Sequence, residues 1–273
     1  MEAEKIRPCA ACGSFYSGDA AVLRKEIDAM IAGARTAPVP RVMGIVAPHA
    51  GYMYSGDTAA RVYGSLAGSG YRSVVIVSPS HRDSFRGVSA YEGDGYATPL
   101  GVVPVDRALR ELLAAEPTPV KISAVGHGLE HAVEVHLPFL QRVLGEFSFV
   151  PLVMGDQDPG TCFALGETLG RVLKGRKVLL VASTDLSHFF SRQVAKGLDD
   201  VVIHDVGNFD PPGLMTDLEE GKAEACGGGP TVAVMSALKI LGATQMRVAH
   251  YATSGDVTGD DRSVVGYMSA IAS

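Results

Sequence analysis

Apolar positions along the chain switch repeatedly between a helical period and short unbroken runs. After the turn-rich Gly13-Ser14-Phe15-Tyr16-Ser17-Gly18, residues 20–34 carry apolar side chains at helical spacing. Residues 41–47 read as a buried strand ending at Pro48-His49, and a helix over about 57–67 should follow. Residues 73–78 form the clearest strand pattern and run into Pro79-Ser80-His81. The stretch 87–105 predicts short strands joined by turns at Gly93-Asp94-Gly95 and Pro99-Leu100-Gly101. Helices are predicted over 107–115 and 132–144, with Pro138 at a kink or boundary of the second. Strands at 148–153 and 177–182 alternate with helices at 161–173, 192–206, 212–219 and 230–241. Residues 246–252 and 263–271 read as a closing pair of strands around a long polar loop. This alternation predicts the α/β class: a single-domain, three-layer α/β/α sandwich with a mixed, mainly parallel central sheet. No repeat, low-complexity tract or linker divides residues 1–273, so one domain is expected.

Three of the strands end alike. The first runs into His49, the second into His81, and the strand near 177–182 into Asp185 and His188. Ligands of open α/β sheets bind beyond the carboxyl ends of parallel strands. A single histidine after a hydrophobic strand is more often a core residue than a ligand, but three such ends together point to a site. Cys226 joins them from Glu224-Ala225-Cys226-Gly227-Gly228-Gly229-Pro230, just ahead of a predicted helix. A helix N-terminus lowers a thiol pKa, and thiolate is the form that ligates metal; the bland alternative is a buried cysteine beside a flexible cap. The expectation is a metal ion held among His49, His81, Asp185, His188 and Cys226.

In Glu130-His131-Ala132-Val133-Glu134-Val135-His136 the two histidines stand five apart, which excludes the helical zinc-protease arrangement. Glu134 and His136 are expected as cleft wall or as partners for ligand ring nitrogens, whereas Glu130 and His131 fit a capped, solvated helix start equally well. Cys9-Ala10-Ala11-Cys12 is a bare C-x-x-C without a second pair at zinc-finger spacing, either inert or a dithiol that supplies electrons. His127, His204 and His250 have no supporting pattern and read as structural or surface residues.

Composition narrows the partners. A net charge of −6 without long like-charged runs argues against nucleic acid. The N-terminal residues lack the apolar stretch of a signal peptide, and no run approaches the roughly 18 residues of a membrane span. Four cysteines in 273 residues do not suggest a secreted disulfide framework, so a cytoplasmic protein with reduced thiols is expected.

Taken together, these segments resemble the Memo family. The resemblance rests on Ala47-Pro48-His49-Ala50-Gly51-Tyr52 with Tyr54-Ser55-Gly56, on Pro79-Ser80-His81, and on Glu130-His131 through Glu134-Val135-His136-Leu137-Pro138. Ser183-Thr184-Asp185-Leu186-Ser187-His188, Cys226-Gly227 and Gly13-Ser14-Phe15-Tyr16 complete it over nearly the whole chain. The resemblance implies a fold similar to the catalytic subunit of class III extradiol dioxygenases. It also implies one transition metal, iron(II) or copper, with zinc as an alternative, bound through His49, His81 and Cys226. Asp185 and His188 would then act as acid/base or hydrogen-bonding groups. The dioxygenases carry a carboxylate where Cys226 stands, a departure that weighs against ring cleavage and, by the softness of thiolate, towards Cu(I). Phe15 stands where the family pattern leads one to expect tryptophan, and Cys9 and Cys12 lie outside that pattern. Prokaryotic relatives suggest a functional link to a radical-SAM protein and an AMMECR-type protein.

Two classes of function follow. The first is a metal-dependent oxidoreductase or dioxygenase-like enzyme acting on a small-molecule substrate, with His188 moving protons, Asp185 setting its tautomer and pKa, and Phe15, Tyr52 and Tyr54 walling the pocket. The second, implied by similarity to animal Memo proteins, is a non-catalytic phosphopeptide-binding module in the same cleft, for which Arg82 and Arg86 are the nearby cations. A zinc-dependent hydrolase is a further alternative.

Overall fold

Strands rich in Val, Leu and Ile on both faces need cover on both faces, and the fold supplies it. The computed structural model describes residues 4–115 and 117–273. Its first half runs β1 (Ile6–Arg7), α1 (Ala20–Ala34), β2 (Gly44–Ala47), α2 (Tyr52–Tyr63), β3 (Ser73–Pro79), β4 (Val88–Tyr91), β5 (Gly95–Thr98), β6 (Gly101–Pro104), α3 (Arg107–Ala114) and β7 (Val120–Ser123). The second half runs α4 (Leu137–Leu144), β8 (Ser148–Met154), α5 (Pro159–Leu173), β9 (Leu179–Ser183), β10 (His188–Phe190), α6 (Arg192–Gly207), α7 (Pro211–Glu219), α8 (Gly228–Ile240), β11 (Met246–Thr253), α9 (Gly255–Thr258) and β12 (Val264–Ala272).

Among the described residues the main sheet has the order β10-β12-β2-β9-β3-β8-β4-β7, with β11 paired to β12. Its centre, β2-β9-β3-β8, is parallel, while β12 and β4 run antiparallel to their inner neighbours, so the sheet is mixed as expected. One face packs on Leu23 and Ile27 of α1, Val62 and Tyr63 of α2, and Phe139 and Leu140 of α4. The other packs on Leu165 and Leu169 of α5, Val202 of α6, Leu214 of α7, and Val234 and Leu238 of α8. This is the three-layer α/β/α sandwich that the alternating pattern predicts. A small sheet, β1-β5-β6, flanks it.

Register decides where the chemistry falls. Ala47 pairs with Ser183 and Val77 with Ala182, so β2, β9 and β3 finish level with one another. His49, Asp185 and His81 each lie two residues beyond the end of their strand and leave the sheet on one edge.

Several elements differ from the periodicity reading. α2 begins at Tyr52, not near Asp57, because its N-cap, Gly51, has no side chain to announce a helix start. A 3-10 turn, Glu134–His136, precedes α4, and Pro138 occupies the first turn of that helix, where its missing N–H costs nothing. β1, β7 and β10 are two to four residues long, too short to show a period. β10 places His188 at the start of a strand paired with β12. No helix among the described residues is long and apolar enough to cross a membrane.

Candidate metal centre

The loop after β2 buries His49 almost completely. Its backbone N–H donates to Asp185 Oδ1 at 2.9 Å, and its Nδ1 lies 2.7 Å from Ser183 Oγ. The Ser183 hydroxyl donates its one proton to the Ala132 carbonyl at 2.7 Å. It must therefore accept from His49 Nδ1–H, and likewise from His136 Nε2–H at 2.7 Å. That assignment leaves His49 Nε2 unprotonated, an acceptor 3.1 Å from Cys226 Sγ. Burial, with the neighbouring histidines acting in the same direction, holds His49 neutral.

His81 reaches the same arrangement through a carboxylate. Its Nδ1 lies 3.0 Å from Glu130 Oε1, and its backbone N–H donates to Glu130 Oε2 at 2.5 Å. Burial works to raise the Glu130 carboxyl, yet the His81 side chain and the backbone donors of His81 and Ala132 prevail and hold it down at about 2. Glu130 is thus an anion placed to accept from His81 Nδ1–H, which turns Nε2 of that ring away from the carboxylate. A partner on the second ring nitrogen is the usual companion of a metal-ligating histidine.

Cys226 is strapped across the end of β9. Its N–H donates to the Asp185 carbonyl at 3.2 Å, its Sγ accepts from Asp185 N–H at 3.2 Å, and Gly227 N–H donates to Thr184 Oγ1 at 3.0 Å. A Cβ at Gly227 would stand 2.0 Å from the Ser183 carbonyl oxygen, so glycine alone lets the strap lie this close. The expectation that the following helix lowers the thiol pKa is not met. Burial pushes the Cys226 thiol well above its ordinary value, and the Asp185 carboxylate adds to the effect. Removing the side chain from water outweighs half a helix charge, and a bound cation would be the group that favours thiolate here.

One ligand atom each from His49, His81 and Cys226 lies within 4.8 Å of the others. Two imidazoles, each with Nδ1 facing an acceptor, and one thiol form a donor set that fits iron, copper or zinc. The cluster opens into a cavity of about 370 Å³ bordered by Phe15, Tyr54, His131, Asp185, His188 and Tyr267.

Asp185 and His188 both border this cavity, but not as a pair. Asp185 accepts from the backbone of His49 and Ala50, and burial lifts its carboxyl to about 7 in spite of those donors. His188 instead faces Glu224: its backbone N–H donates to Glu224 Oε1 at 3.0 Å, and its Nδ1 lies 3.9 Å from that oxygen. Burial lowers the His188 pKa and outweighs the opposing pull of Glu224.

Other expected site residues divide. Phe15 and Tyr54 line the cavity. Tyr52 does not: its ring packs on Tyr16 and Phe139, and its hydroxyl donates to the Val135 carbonyl at 2.6 Å. His136 touches His49 only through Ser183, its other nitrogen accepting from Tyr63 OH at 2.7 Å. Glu134 is not cleft wall. It is fully buried and accepts from Arg7 Nη1, Tyr16 OH and the N–H groups of Ala10 and Ala11. Cys9 and Cys12 are joined as a disulfide, so the expectation of reduced thiols fails for that pair, while Cys162 and Cys226 are free.

Ser183, Glu130 and His131 went unsingled as site residues. His131 stacks on His81 at 4.9 Å between ring centres and packs on Phe15 at 4.3 Å. The adjacency of Glu130 and His131 to the other histidines was the one available signal; a strand-end serine carries none.

A family model described as Memo-like protein matches residues 7–271. A MEMO1 family protein of Methanothermobacter thermautotrophicus is 38% identical over 272 residues, spanning 96% of this chain and 98% of that protein. Another from Methanosarcina barkeri is 36% identical over 269 residues, spanning 97% and 99%. Among solved structures, an uncharacterized protein from Escherichia coli K12 superposes with a TM-score of 0.57 at 17% identity, covering 85% of this chain and 99% of that one, a likeness of fold.

Proposed function

This chain belongs to the Memo family, and we propose that it is a metal-dependent, dioxygenase-like oxidoreductase that holds one iron(II) or copper ion on His49, His81 and Cys226 and acts on a small molecule in the cleft. The observation that supports this most is that both histidines have Nδ1 engaged by an acceptor, Ser183 for His49 and Glu130 for His81, while one ligand atom of each gathers with Cys226 Sγ. A bound iron or copper ion would supply one-electron redox chemistry and Lewis-acid polarisation of a substrate oxygen.

The protein's own groups would bind, shield and exchange protons. Phe15, Tyr54 and Tyr267 wall the cavity and displace water from a substrate of modest size. Asp185, lifted to about 7, carries a proton on its carboxyl for part of the time at neutral pH and can donate or accept it there. His188, neutral through burial, has Nδ1 turned to Glu224 and can accept a proton at Nε2.

Among the described residues bordering the cavity there is no arginine or lysine, which counts against a phosphopeptide as its occupant. The test is metal analysis of protein purified without oxygen, followed by oxygen uptake with a reductant. Iron or copper near one per chain with turnover supports the reading; zinc without redox turnover supports the hydrolase instead.

A further inference from the structure

The Cys9–Cys12 pair lies in the loop between β1 and α1, apart from the metal ligands and from Cys162, a buried residue of α5. Both residues are half-buried. The loop is tied down by other means. The Phe15 N–H donates to the Ala11 carbonyl at 2.8 Å, and the N–H groups of Ala10 and Ala11 donate to Glu134. A bond between residues three apart removes little chain entropy, and the loop has these anchors already, so a stabilising staple is a weak account of the pair.

Its surroundings suit the reduced form as well as the oxidised one. Cys9 Sγ lies 3.1 Å from Glu134 Oε1 and 3.3 Å from Tyr16 OH, and accepts from Cys12 N–H at 3.1 Å. In the disulfide, Cys9 has no proton to offer the buried Glu134 carboxylate. In the dithiol, Cys9 S–H becomes a donor to it. The protein therefore holds an acceptor in place for a proton that only the reduced state possesses.

We propose that Cys9 and Cys12 form a reversible two-electron dithiol/disulfide couple that exchanges with an external dithiol, with Glu134 receiving the Cys9 S–H hydrogen bond in the reduced state. A thiolate of the external dithiol attacks one sulfur of the pair, the Cys9–Cys12 S–S bond breaks, and a mixed disulfide forms. The second external thiol then displaces the remaining sulfur. Cys9 and Cys12 gain two electrons and two protons, and the external dithiol leaves as its disulfide. The loop also carries Ser14 and Phe15 to the rim of the cleft, so the couple sits beside the metal site without lending it a ligand. The proposal is independent of the function assigned to that site.

Dithiothreitol is a suitable probe. Folded protein is equilibrated in buffers of varied reduced-to-oxidised dithiothreitol ratio, quenched in acid and alkylated, and each cysteine peptide is read by mass spectrometry. Cys9 and Cys12 should change from unlabelled to labelled together, reversibly, along a two-electron curve, while circular dichroism stays native. Cys9→Ser and Cys12→Ser should remove the transition, and at least one of them should trap a mixed disulfide with oxidised glutathione. A bond that opens only after unfolding in urea, or thiols that remain fully labelled in oxidised dithiothreitol, would overturn the proposal.

Discussion

His49 Nδ1 and the Ser183 hydroxyl lie 2.7 Å apart, and because that hydroxyl gives its proton to the Ala132 carbonyl, the imidazole must be the donor. One strand-end serine thus fixes which nitrogen of His49 points at Cys226. Ser183→Ala should leave the protein folded, at a cost of about 1–3 kcal/mol for each of the two histidine N–H groups left without an acceptor. Its metal affinity should fall roughly 10–100-fold, the usual range for losing such a partner. Chelator competition measures this directly; an unchanged affinity would mean that the His49 tautomer is set by something else.

His188 supplies a test of proton traffic. Its Nδ1 faces Glu224, and it borders the cavity without belonging to the His49, His81 and Cys226 cluster. His188→Ala should keep the metal and lose about 10²–10⁴-fold in redox turnover, the range typical of general acid–base groups. Glu224→Gln should give a smaller loss, since the ring remains. Metal content and oxygen uptake on the same samples decide the matter. Loss of metal would make His188 a ligand.

The parallel strands were legible because each is an apolar run long enough to stand out, and their common ending in histidine or aspartate followed from reading the runs to their ends. The partner of each group was not legible. Whether a carboxylate faces His188 depends on how the turn after α7 brings Glu224 across, a distance of 36 positions in the chain. The thiol of Cys226 was misjudged for a related reason: the helix N-terminus is visible in the order of residues, whereas the burial that outweighs it exists only in three dimensions. His131 was ambiguous because a histidine beside a glutamate fits a solvated helix start as well as a cleft.

Glu134 has moved from the cleft wall to the interior, and its ion pair with Arg7 is almost wholly buried, with side-chain exposures of 3% and 0%. Glu134→Ala would leave the Arg7 guanidinium without its counter-charge. The expected loss is about 3–5 kcal/mol, as for other broken buried pairs. Urea unfolding checks it; a loss below about 1 kcal/mol would show that the pair contributes nothing particular to the fold.

His127 sets an acid limit on stability. Its Nδ1 accepts from Tyr96 OH at 2.6 Å and its Nε2–H donates to the Ser89 carbonyl at 3.1 Å, so the neutral ring is satisfied on both sides. Burial lowers its pKa to about 3. The unfolded chain, with an ordinary value near 6.5, binds the proton first. Stability should therefore be level above about pH 6.5 and fall as pH drops towards 3, by up to about 1.4 kcal/mol per pH unit for this residue. Unfolding free energies of wild type and His127→Gln between pH 4 and 7.5 should show a shallower slope in the variant. Parallel slopes would contradict the assignment.

The account rests on His49, His81 and Cys226 as one ligand set. The most direct test is metal content per chain, by elemental analysis after anaerobic purification, for wild type and for His49→Ala, His81→Ala and Cys226→Ala, with circular dichroism to confirm folding. The account predicts close to one iron or copper per wild-type chain and less than about a tenth of that in each folded variant. Undiminished metal in folded Cys226→Ala protein would contradict it and move the third ligand to Asp185, whose Oδ2 stands 4.0 Å from His49 Nε2.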